Sequence, residues 1–97
     1  MTISKKSIYL AKLSSIKNTI ERTTDEQKHN LIGINLANEF NKLLLEIGQD
    51  YPDLKGSLPP EITSKGHFKL MQMADTNYID LEIFTETTIS LLNLVDS

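Results

Sequence analysis

The chain has 97 residues, 39% of them hydrophobic and 24% charged, a balance that belongs to one folded domain with a modest core rather than to a disordered chain. A net charge of −3 offers no general attraction to phosphate backbones or anionic lipid. With no cysteine, disulfides, thiolate metal sites and a cysteine nucleophile are all excluded.

In chain order, a first helix is expected from about Ser4 to Arg22, where Tyr9, Leu13, Ile16 and Ile20 recur at helical spacing on one narrow face. Steps of about 100° place Lys5 and Lys12 on one flank of that face and Lys6 and Lys17 on the other. Such lysines lay their methylene stems along the seam and keep their ammonium groups wet. Thr24, Asp25, Glu26 and Gln27 read as a capping box opening a second helix that runs to about Ile47. Gly48 is then expected as a left-handed C-terminal cap, with Pro52 blocking any resumption. The main stripe of this helix is Ile32, Leu36, Phe40, Leu43 and Ile47, with Ala37 and Leu44 beside it; Leu31, Ile34 and Leu45 point the other way. Gly33 within the stripe suggests a close backbone approach. The short link predicts that helices one and two form an antiparallel hairpin.

From Asp50 to Gly66 the prolines Pro52, Pro59 and Pro60 predict an extended connection, with a helical turn after Pro60. Tyr51, Leu54, Leu58 and Ile62 make it too apolar for a free linker, so it should lie across the bundle. The run 67–74 is ambiguous between helix and strand, and a short helix is favoured. Asp75 and Thr76 offer caps for a last helix reaching Val95. Its core stripe reads Leu81, Phe84, Thr88, Leu91 and Val95, with a second apolar patch, Ile79, Ile83 and Leu94, on the opposite side. A surface helix normally shows one apolar face. The second therefore calls for a central place in the bundle or a partner. The expected fold is all-α: one domain spanning 1–97, an antiparallel bundle of three long helices plus a short one, with a Pro/Gly-containing connection after the first hairpin.

The sequence carries no recognisable catalytic constellation. His29 and His67 stand far apart, neither has a second imidazole at helical ligand spacing, and no H-E-x-x-H or calcium loop accompanies them. Gly33, Gly48, Gly56 and Gly66 form no phosphate-cradling loop, and no serine sits in a nucleophile elbow. Glu82 and Glu86, one turn apart, read as a solvated acidic ridge. Met71 and Met73, beside Phe68 and Tyr78, read as gap filling in the core. Lys12 and Lys17 interrupt the N-terminal apolar pattern and no apolar run approaches the roughly 18 residues of a membrane span. A cytoplasmic protein without cofactor or metal is expected.

Charge is unevenly placed. Up to Thr23 five bases, Lys5, Lys6, Lys12, Lys17 and Arg22, face one acid, Glu21; from Asp75 onward stand Asp75, Asp80, Glu82, Glu86 and Asp96 with no base. The expected function is a non-catalytic protein-interaction module, a homodimer associating through the last helix by way of Ile79, Ile83 and Leu94. Glu82 and Glu86 are then available to a basic protein partner. Small acidic immunity proteins, antitoxins and adaptors share that size and charge. The alternative is a small dimeric nucleic-acid-binding regulator using the lysine-bearing first helix; lysines scattered around that helix oppose it. A third reading, an enzyme or ligand carrier with a cavity near Tyr51, Phe68 and Tyr78, lacks polar groups arranged for chemistry.

Overall fold

Serine begins the first helix as expected. In the computed structural model, which describes residues 3–65 and 73–95, the Ser4 hydroxyl accepts the Ser7 amide at 3.1 Å and so satisfies one of the amides that a helix start leaves without a partner. Helix α1 spans Lys5–Glu21 and buries Tyr9, Leu13, Ile16 and Ile20, the four residues of the predicted face.

The Thr24 capping box forms, with the Gln27 amide donating to Thr24 Oγ1 at 3.2 Å and the Thr24 amide donating to Gln27 Oε1 at 3.4 Å. It closes the turn that leads into a 3₁₀ turn, Gln27–His29, which has no side-chain cap of its own, and it does not open the second helix. Strand β1, Leu31–Gly33, intervenes before α2, Ile34–Asp50. Isoleucine and glycine are weak helix formers, and here the backbone of Leu31–Gly33 pairs with a later strand instead. Gly33 is the N-cap of α2, and a Cβ there would meet nothing within 4 Å, so the expected close backbone approach is absent. Nor is Gly48 a left-handed cap: it is buried inside α2, which continues to Asp50. The stop comes from Pro52, which disfavours helical dihedrals at the preceding Tyr51, found at φ −129° and ψ 73°.

The helical turn of the connection precedes Pro59 and Pro60 rather than following them, as a 3₁₀ turn at Pro52–Ser57. Tyr51, Leu54 and Leu58 pack against the core and Ile62 is buried within it. A side-chain clasp holds this segment. Asn41 Nδ2 donates to the Ile62 carbonyl at 2.8 Å and Asn41 Oδ1 accepts the Ile62 amide at 2.8 Å, so one amide supplies both bonds that a neighbouring strand would otherwise provide.

The chain is mostly helical, as expected, but it also carries a three-stranded antiparallel sheet of order β1-β3-β2, with β2 at Ser64–Lys65 and β3 at Met73–Asn77. Leu31 pairs with Asn77 and Gly33 with Met73, across a bulge; Ser64 pairs with Ala74 and Lys65 with Met73. Of the run 67–74 expected as a short helix, Met73 and Ala74 belong to β3 and 67–72 lie outside the described residues. Helix α3, Tyr78–Asn93, is capped not by Asp75 or Thr76 but by Asn77, whose Oδ1 accepts the Asp80 amide at 2.8 Å.

The buried stripe of α3 is Leu81, Thr85, Thr88 and Leu92, with Phe84, Leu91 and Val95 half-buried on its flank. The shift from the expected stripe has a chemical reason. Thr85 Oγ1 donates to the Leu81 carbonyl at 2.7 Å and Thr88 Oγ1 to the Phe84 carbonyl at 2.8 Å. Each hydroxyl is satisfied within its own helix and the methyl is left to pack.

Three contacts orient the helices. Lys5 Nζ reaches Asp50 Oδ1 at 3.3 Å and the Tyr9 hydroxyl donates to Asp50 Oδ2, joining the start of α1 to the end of α2. Lys6 Nζ donates to the Val95 carbonyl at 2.9 Å, joining the start of α1 to the end of α3. The start of α1 thus lies beside the ends of both α2 and α3. The closest backbone packing of α1 is with α3, not with α2 as a tight hairpin requires.

Candidate functional site

The face of α3 turned away from its buried stripe is where apolar side chains meet solvent. A step of about 100° per residue places Ile79, Ile83, Ser90 and Leu94 opposite Leu81, Thr85, Thr88 and Leu92. Ile79 is 36% exposed, Ile83 54% and Leu94 77%. Of the two destinations open to this patch from sequence, a central place within the chain is thereby excluded. Ile83, Glu86, Thr87, Ser90, Leu91 and Leu94 line one shallow depression, so most of the predicted residues share a single surface. Ile79 lies one turn before Ile83, beyond that depression. Glu82 is half-buried at the flank and Glu86 is exposed.

Glu86 has a neighbour in its own chain, since Lys17 Nζ lies 3.8 Å from Glu86 Oε1 with both side chains well exposed. Such pairs are worth little in water, and Glu86 remains available at the rim. The lysines of α1 sort as their spacing implies. Lys6 and Lys17 turn toward α3, while Lys5 reaches Asp50 and Lys12 lines the space between α1 and α2. Three of the five N-terminal cations thus face groups of the same chain, which weakens the case for α1 as a nucleic-acid surface.

Two further concavities lie among the described residues. Between α1 and α2 runs a groove of about 380 Å³ with Ile16, Leu36 and Leu43 at its base and Lys12, Glu39, Lys42 and Glu46 on its walls. Its charges balance, and Ile16 and Leu43 are already buried. A second hollow of about 370 Å³ lies between α2 and the connecting segment, where Leu44, Leu45, Leu58 and Pro59 are flanked by Lys42, Lys55, Asn41 and Glu61. Leu45 is 61% exposed there. From sequence Leu45 stands out only as a residue off the main stripe; its meeting with Leu58 and Pro59 depends on how the connection folds back over α2.

The strongest electrostatic perturbation lies elsewhere. Burial and the hydrogen bond to Asp50 push the Tyr9 phenol well above its ordinary range. The Tyr9 hydroxyl, aided by Lys5, holds the Asp50 carboxyl below the usual carboxylate range. Tyr51 meets Tyr9 edge to face, with ring centroids 6.3 Å apart. This cluster ties the ends of two helices together, and its phenol is held protonated. Among the described residues no group of three or more histidine, aspartate or glutamate side chains converges as metal ligands. Buried side-chain polar atoms among them all have hydrogen-bond partners. His29 is exposed, and His67 lies outside the described residues. No helix among them is long and apolar enough to cross a membrane.

Comparison with protein-family models, with curated proteins and with solved structures finds no match for this chain.

Proposed function

We propose that this protein is a non-catalytic interaction module that pairs with a second copy of itself through the outer face of α3. The three helices serve as the scaffold, and the small sheet pairs the strand before α2 antiparallel to the strand before α3. One observation carries the reading: Ile83 and Leu94 are 54% and 77% exposed on the side of α3 opposite its core. Removing apolar area from water is the dominant favourable term in association. Thr87 and Ser90 lie between Ile83 and Leu94 along this face, and Glu86 lines the same depression.

Sedimentation of the wild-type chain and of Ile83→Glu at high micromolar concentration tests the proposal. The wild type should exceed the mass of one chain, and the variant should sediment as one chain with its helical circular-dichroism signal unchanged. A wild-type mass of one chain at every concentration refutes it. Loss of the fold in the variant contradicts the exposed position of Ile83.

A further inference from the structure

We draw no further inference here: the strongest candidate, the apolar hollow between α2 and the connecting segment formed by Leu45, Leu58 and Pro59, carries nothing because nothing in the structure shows what covers it.

Discussion

Replacing Gly48 with alanine should stabilise the fold by about 0.5–1 kcal/mol, the difference between glycine and alanine inside a helix. Gly48 is two residues short of the end of α2 and buried. A Cβ added there would lie 3.6 Å from Leu58 Cδ1 and 3.6 Å from Lys55 Cγ. Those are ordinary van der Waals contacts with side chains, so the new methyl gains packing without displacing backbone. The sign is what matters. Had Gly48 held the left-handed cap that its position before Pro52 suggests, alanine would cost about 1–2 kcal/mol. Thermal unfolding followed by circular dichroism separates the two, since the stabilisation corresponds to a midpoint raised by roughly 2–8 °C in a domain of this size. A lowered midpoint refutes the continuation of α2 through Gly48.

Asn41→Ala should cost about 2–3 kcal/mol in urea denaturation, because it removes both hydrogen bonds to Ile62 and leaves a part-buried amide and carbonyl without them. A loss below about 0.5 kcal/mol shows that water replaces the clasp. Thr85→Val keeps the shape and gives up only a hydroxyl that bonds its own helix; stability should change by less than about 1 kcal/mol, and a larger loss means the hydroxyl has another role. The Asp50 carboxyl is depressed in the folded state, so its contribution is present above its unfolded pKa and lost as pH falls through the folded one. Tyr9 is raised above its ordinary 10.0, so its contribution is complete below that value and lost as pH rises beyond it. Denaturation midpoints should therefore fall at both extremes, and Asp50→Asn should flatten the acid limb; an unchanged acid limb contradicts the Tyr9–Asp50 link.

Where amphipathic spacing runs unbroken, the fold could be read from residues alone. α1 is the clear case, because Tyr9, Leu13, Ile16 and Ile20 are all buried and Ser4 caps them. The interior of α2 follows the same rule through Ala37, Phe40, Leu43, Leu44 and Ile47. Its start was hidden because Ile32 keeps helical phase with Leu36 while sitting on a strand. The sheet left little trace, its strands being three, two and five residues long, too short for alternation to register. In α3 the threonines concealed the true core, since a hydroxyl that bonds the preceding turn behaves as a methyl toward its neighbours. Ile79, Ile83 and Leu94 were identifiable as a second face, but only the packing shows that the chain itself leaves them exposed. The Leu45 hollow was illegible because its walls come from two segments joined by a turn whose position proline spacing did not fix.

The mass of the wild-type protein in solution, measured by sedimentation across a concentration series, tests the central claim most directly. Self-association through α3 predicts a mass that rises above one chain as concentration increases and collapses to one chain on Ile83→Glu. A single-chain mass throughout the series contradicts it, and leaves the apolar face of α3 as bare surface without a partner of its own kind.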